Sequence, residues 1–419
     1  MYHRTVSPPF FMKQVVLALV SGALLCAAPA LPDPALQPAA IVASPGSEYA
    51  KNERGAQGVP AIERAPRGRL WASWYTAKSQ RGVESPGSFI ALVTSGDDGR
   101  TWSDLKWVVR PPRLCRVYDP CLWLDPDGRM WFFWAQSAGM QDGRMGVWAM
   151  TTANPDAESP VWSEPRRIGN GVMMNKPTVL KNGDWLLPAG LWRDAPSVPN
   201  VTLSEAEMAP YTRAMLIHDL GDERGSNVLR SRDRGKTFEW IGQARAPGTT
   251  VDEHMIVERR DGRLWMLVRT TSGIGQSFSS DGGRTWSPGE PYLGRGVAVF
   301  NARFFIRRLQ SGALLMVRHD GRVTSTRSHL AAFVSDDEGA TWKGGFMIDE
   351  RPRVTYPDCT QGPDGRIYMI YDFERGTLAR DGHKGVAAIM TAVFREEDAR
   401  AGRSVSKDVR LRTVVNQLR

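Results

Sequence analysis

Cysteine pairs, metal-spaced histidines, long apolar runs and blocks of one charge are all scarce in this chain of 419 residues. An N-terminal apolar stretch, Val15 to Ala28, is too short to cross a bilayer comfortably. With Arg4 and Lys13 ahead of it and Ala28-Pro29-Ala30 behind, it reads as an export signal over residues 1–30. The mature chain is then expected in a periplasm or outside the cell, with no stable membrane span. Of the four cysteines, Cys26 lies in the signal, Cys115 and Cys121 could close a small disulfide loop, and Cys359 has no obvious partner. Six histidines without ligand spacing argue against zinc, so no metal and no cofactor are expected. The net charge of +9 falls to +7 once Arg4 and Lys13 are removed, and the remaining excess is scattered. A scattered excess suits an anionic ligand, whereas nucleic-acid binding calls for clustered Lys and Arg.

What the chain has in quantity is turn formers and large aromatics: 41 Gly, 28 Pro and 15 Trp beside 42% hydrophobic residues. That is the composition of a turn-rich all-β protein. A turn glycine followed by an apolar-aromatic strand occurs six times, at Gly68-Arg-Leu-Trp71, Gly128-Arg-Met-Trp131, Gly183-Asp-Trp-Leu186, Gly262-Arg-Leu-Trp265, Gly312-Ala-Leu-Leu315 and Gly365-Arg-Ile-Tyr368. Each follows another strand-like run and so marks a hairpin. The gaps of 60, 55, 79, 50 and 53 residues match a four-stranded propeller blade, the longest holding an insertion at 192–230.

A second repeat runs Ser95-x-Asp97-x-Gly99-x-Thr101-Trp102, Ser231-x-Asp233-x-Gly235-x-Thr237-Phe238, Ser279-x-Asp281-x-Gly283-x-Thr285-Trp286 and Ser335-x-Asp337-x-Gly339-x-Thr341-Trp342. These are Asp-boxes, in which Asp and Gly form a tight turn, the hydroxyls bond the backbone and the aromatic packs between sheets. Trp162-Ser163 reads as the remnant of a fifth. The expected fold is a six-bladed β-propeller of four-stranded antiparallel blades over residues 51–395. Residues 31–50 are expected as a linker, and 396–419 as a tail or a closing segment.

Propeller function gathers where equivalent loops of all blades meet at the channel mouth. Counting antiparallel partners outward from each turn places Glu253 and His254 opposite Arg269 and Thr270, and Tyr356 and Pro357 opposite Asp372 and Phe373. The same count brings Asp119 near Gln136, Asn175 and Lys176 near Pro188, and Arg303 near Asp320. Charges gathered at a partly dry mouth are costly without partners or a ligand, which points to a site there.

With these motifs in place, the chain resembles the sialidase (neuraminidase) superfamily, and within it bacterial proteins with BNR repeats, from about Gly55 to Phe394. The resemblance implies an exo-glycosidase acting on terminal acidic sugars, with a tyrosine nucleophile activated by a glutamate and three arginines clamping the substrate carboxylate. Tyr356, in Val354-Thr355-Tyr356-Pro357-Asp358, matches the nucleophile, and Glu253 its partner. A neutral phenol suits a substrate whose own carboxylate would repel a carboxylate nucleophile. Arg269 and Arg327 match two clamp arginines, Asp372 stands where the family often has a glutamate that orients an arginine, and Arg303 is a further candidate contact. The first clamp arginine has no counterpart, since Gln57-Gly58-Val59-Pro60 places Gly58 there. The acid/base aspartate is likewise missing from Arg81-Gly82-Val83-Glu84, which leaves Glu84 and Asp119 as substitutes.

Three readings follow. The first is a retaining sialidase-type hydrolase that uses Tyr356 and Glu253. The second is a uronic-acid-directed glycosidase or polysaccharide lyase in which His254, Lys176 and Asp119 take the catalytic roles. The third is a glycan-binding propeller without turnover. All three take an acidic glycan as partner; oligomeric state is not legible.

Overall fold

Each of the six glycines that open the repeats sits in the left-handed region, with φ between 79° and 116°, a conformation L side chains rarely adopt. Each therefore reverses the chain and pairs two strands. The computed structural model describes residues 33–78, 87–113, 115–138, 144–191, 221–249, 253–292, 301–322, 326–376 and 385–418. The export signal at 1–30, Glu84 and residues 192–220 of the insertion lie outside the described residues.

Residues Asp33–Arg419 contain six antiparallel sheets arranged in a ring, a six-bladed β-propeller. Within each sheet the strands follow chain order from the channel outward. The innermost strands are Ala56–Arg64, Arg116–Leu124, Thr178–Val179, Met255–Glu258, Phe305–Arg308 and Val354–Gln361. Two additions lie at the edges. Ala40–Ala43, in the stretch expected as a linker, pairs with Trp107–Arg110 as a fifth strand of the first blade. Arg410–Gln417 pairs with Ala388–Arg395 as the outer strand of the sixth. No helix among the described residues is long and apolar enough to cross a membrane.

Tryptophans fill the gaps between blades. Trp131 of the second blade meets Trp185 of the third edge to face at 5.8 Å, and Trp123 meets Trp185 at 4.8 Å, all three almost fully buried. The Asp-boxes tie the outer turns. In the third, Asp281 accepts from Thr285 Oγ1 and N, from Ser279 Oγ and from Arg284 N, which together hold its pKa down at about 2. Ser163 Oγ accepts from Thr151 N at 3.0 Å just as Ser287 Oγ does from Phe278 N, and Trp162 packs on Trp71, Trp107 and Phe132. The degenerate box thus keeps its aromatic wedge after losing its Asp turn.

The disulfide expected between Cys115 and Cys121 does not form, and both residues are buried, as is Cys359. Residues 116–124 run as one strand, and six residues of extended chain span about 20 Å, whereas a disulfide needs Cα atoms within about 7 Å.

The channel itself is plugged by charge. Lys176 Nζ donates to the carbonyls of Ile62 and Leu122 at 2.6 Å and pairs with Asp358 at 3.1 Å and Glu63 at 3.3 Å, joining four blades at one ammonium. Arg303 bonds Asn175 Oδ1 and the carbonyls of Pro357 and Met174, tying the fifth blade to the third and sixth. Ring closure adds Ile62 N to Asp358 Oδ2 at 2.9 Å.

Candidate active site

Three inner strands carry the same irregularity. Ladder pairing skips from Gly58 to Ala61, from Tyr118 to Cys121 and from Thr355 to Asp358. Each skip holds a residue followed by proline: Val59-Pro60, Asp119-Pro120 and Tyr356-Pro357. Proline cannot donate to the ladder, so the strand bulges. Val59, Asp119 and Tyr356 adopt φ of 53°, 49° and 55°, a conformation that β-branched and bulky side chains such as Val59 and Tyr356 rarely take. A bulge re-aims one side chain, and here the third of them turns Tyr356 toward the fourth blade.

There Tyr356 Oη donates to Glu253 Oε1 at 2.9 Å. Arg269 Nη1 donates to the same carboxylate oxygen at 2.8 Å and to Tyr356 Oη at 3.3 Å. Phenol, carboxylate and guanidinium thus close a triangle from three separate stretches of chain. Glu253 Oε2 is buried with no hydrogen-bond partner among the described residues. Asn301 holds two arginines at once: its Oδ1 accepts from Arg269 Nε at 2.7 Å and its carbonyl from Arg327 Nη2 at 3.2 Å. Arg327 Nη1 also donates to Thr355 Oγ1 at 3.2 Å.

Around the phenol the guanidiniums converge. Arg327 Cζ lies 5.8 Å from the centre of the Tyr356 ring, and Arg375 Cζ lies 4.0 Å from it. Arg375 Nε donates to Asp372 Oδ2 at 2.9 Å, and the same oxygen accepts from Val59 N at 2.8 Å.

Burial sets the protonation states. It raises the Tyr356 pKa above the ordinary phenol value, the Glu253 carboxylate adds to the rise, and the three arginines oppose it. At neutral pH the phenol is therefore intact. Burial works against the Arg269 charge, but Glu253 and then Tyr356 outweigh it and hold the guanidinium protonated. Asp372 is raised from the ordinary carboxylate value by burial, against the pull of Arg375.

The structure brings Tyr356, Glu253, Arg269, Arg327 and Asp372 to one end of the channel. Lys176 and Arg303, counted to the same end in the sequence, have their charged groups bonded among the inner strands instead. His254 is buried, with Nε2 2.7 Å from Asn227 O, and desolvation lowers its pKa to about 4, so it is neutral. Asp119 occupies the second blade's bulge, the position equivalent to Tyr356, and is 4% exposed. Glu84 lies outside the described residues. Arg375, Asn301 and Thr355 were missed in the sequence, where nothing in their local pattern marks them. Among the described residues no group of three or more His, Cys, Asp or Glu side chains could hold a metal ion.

The BNR repeat-like domain family matches residues 115–369. Over 160 residues the chain is 24% identical to the anhydrosialidase of Macrobdella decora, a stretch covering 34% of this chain and 21% of that protein. The chain thus spans about a fifth of the length of the curated relative it matches. Among solved structures, the intramolecular trans-sialidase from Ruminococcus gnavus in complex with oseltamivir carboxylate superposes with a TM-score of 0.60 at 13% identity, over 86% of this chain and 98% of that one. A protein of unknown function from Dyadobacter fermentans superposes with a TM-score of 0.59 at 15% identity, over 86% and 99% of the two chains. At such identities the solved structures speak for the fold alone.

Proposed function

Because the chain belongs to the BNR repeat-like domain family, we propose that it is a retaining exo-glycosidase of sialidase type that hydrolyses terminal acidic sugars from glycans. The observation that carries this reading is the Tyr356 hydroxyl 2.9 Å from Glu253 with Arg269 bonded to both. A phenol is a weak nucleophile at neutral pH unless a base takes its proton as it attacks, and a carboxylate at hydrogen-bond distance is that base.

In the first step the substrate carboxylate pairs with Arg269 and Arg327, whose planar forks match its two oxygens. Tyr356 Oη bonds to the anomeric carbon as its proton passes to Glu253. The glycosidic bond breaks, and the leaving oxygen takes a proton from an acid, for which Asp119 is the candidate among the described residues. In the second step a water attacks the anomeric carbon and gives its proton to that same residue. The bond to Tyr356 breaks, and its oxygen recovers the proton held by Glu253. Two displacements at one carbon return the original anomeric configuration.

A lyase would draw on Lys176 and His254 as proton carriers. Lys176 is paired with two buried carboxylates and His254 is a neutral ring bonded to Asn227 O, so the tyrosine reading has the better support. The test is a screen of purified protein against sialosides and uronic-acid oligosaccharides, following the first-formed anomer by NMR. A free acidic sugar released with retained configuration is expected. An unsaturated, ultraviolet-absorbing product or an inverted anomer would overturn the reading. Export through the segment at 1–30 would place this activity outside the cytoplasm.

A further inference from the structure

Position 58 is where the sialidase pattern puts its first clamp arginine, and here it is glycine. The space beside it is not empty. A Cβ built on Gly58 would lie 2.9 Å from both Cγ and Cδ of Arg375 and 2.8 Å from Asp372 Oδ2. Contacts that short do not occur for real Cβ atoms, so any side chain at 58 would displace the Arg375 stem. Gly58 is not among the positive-φ glycines, so its backbone does not require glycine. What requires glycine there is the passage of another residue's side chain.

That residue is held from three directions. The Arg375 carbonyl accepts from Gln57 N at 3.0 Å, which ties its backbone beside the strand that carries Gly58. Its Nε binds Asp372 Oδ2, and Asp372 in turn binds Val59 N, the next residue along that strand. Its guanidinium then lies 4.0 Å from the Tyr356 ring centre, with the side chain still 17% exposed at the mouth. Arg269 at the hydroxyl and Arg327 at 5.8 Å from the ring centre complete three guanidiniums around one phenol.

We propose that Arg375 is the third arm of the substrate clamp. It delivers from the end of the sixth blade's second strand the positive charge that the first blade lacks, and Gly58 is the vacancy that admits it. This rests on the acidic-sugar reading above and adds to it the residue that completes carboxylate recognition. Asp372 is the positioning residue, fixing Nε so that the guanidinium stays over the ring.

The test is calorimetric binding of N-acetylneuraminic acid and of galacturonic acid, each beside its methyl ester, which keeps the sugar and removes the charge. The wild-type protein is expected to prefer one of the acids over its ester. Arg375→Ala should weaken that acid about 10- to 100-fold, the range for losing a charge-assisted hydrogen bond to a carboxylate, and change the ester by less than about threefold. Arg375→Lys should rescue little, because an ammonium lacks the planar fork. Gly58→Ala should lower the acid preference in the same direction without removing any charge, which keeps the test open where Arg375→Ala folds poorly. An acid preference that survives in Arg375→Ala and Gly58→Ala but is lost in Arg269→Ala would overturn the role of Arg375 alone. A wild-type protein that prefers neither acid over its ester would overturn this inference together with the acidic-sugar reading.

Discussion

Replacing Glu253 by glutamine keeps the shape of the Tyr356 site and removes its base. The carboxylate oxygen accepts from Tyr356 Oη at 2.9 Å and from Arg269 Nη1 at 2.8 Å, and an amide oxygen can accept both bonds. Phenol and guanidinium should therefore hold their places, while nothing remains to take the proton during attack. The variant must work through whatever phenolate exists beforehand. A phenol of ordinary pKa about 10 is ionised to about one part in a thousand at pH 7, a penalty of about 4 kcal/mol. Burial raises Tyr356 above that value and loss of the Glu253 charge works back the other way. Turnover at pH 7 is thus expected to fall about 10³-fold, inside the range of about 10² to 10⁴ for a general base. The sharper signature is the pH profile: kcat/KM of the variant should climb about tenfold per unit between about pH 7 and 9 as phenolate accumulates, and the wild type should show no such climb. Hydrolysis of an aryl glycoside of the preferred acidic sugar reads both effects, with thermal melting as a control for folding. A variant within tenfold of wild type at pH 7, or a slow variant with a flat profile, would refute the base assignment.

Three other outcomes follow from the same geometry. Lys176→Met leaves the buried carboxylates of Glu63 and Asp358 without their ammonium and should cost about 3–5 kcal/mol in urea unfolding; a loss under about 1 kcal/mol would contradict the channel plug. His254 and His319 are both lowered by burial from 6.5 to about 4, so between those values the unfolded chain binds two protons that the folded one does not. Stability is then full above pH 6.5 and falls toward pH 4, each histidine contributing about 1.4 kcal/mol per pH unit to the slope. His254→Gln should remove one such share, and an unchanged slope would count against its neutrality. Asp119→Asn, if Asp119 is the acid, should slow glycosides with poor alkyl leaving groups about 10² to 10⁴-fold and spare aryl glycosides; equal losses on both would remove it from that role.

The blade number was legible because a left-handed turn glycine, an apolar-aromatic strand and a Ser-Asp-Gly-Thr box are all local signals that recur along the chain. The nearness of Glu253 to Arg269 could be counted from their turn, since an antiparallel register propagates along the strands, whereas the pairing of Tyr356 with Glu253 came from the family resemblance. The count came within one residue along regular strands and slipped further where Val59-Pro60, Asp119-Pro120 and Tyr356-Pro357 bulge. A proline inside an inner strand was the available signal for that slip. Depth was harder than height: Lys176 and Arg303 lie at their expected levels along the strands, yet their charged ends find carbonyls and carboxylates of other blades within the ring. Arg375 lay beyond local reasoning altogether, because its place depends on contacts between the first and sixth blades, more than three hundred residues apart in sequence. Gly58 was its one trace, visible as a missing arginine.

The tyrosine mechanism requires that Tyr356 Oη be the atom that bonds to the sugar. A fluorinated analogue of the preferred acidic sugar, with fluorine beside the anomeric carbon and a good leaving group, should react once and then hydrolyse slowly enough for peptide mass spectrometry. The predicted result is a single glycosyl adduct on Tyr356, absent from Tyr356→Phe. An adduct on Glu253 or Asp119, or undiminished turnover by Tyr356→Phe, would contradict it.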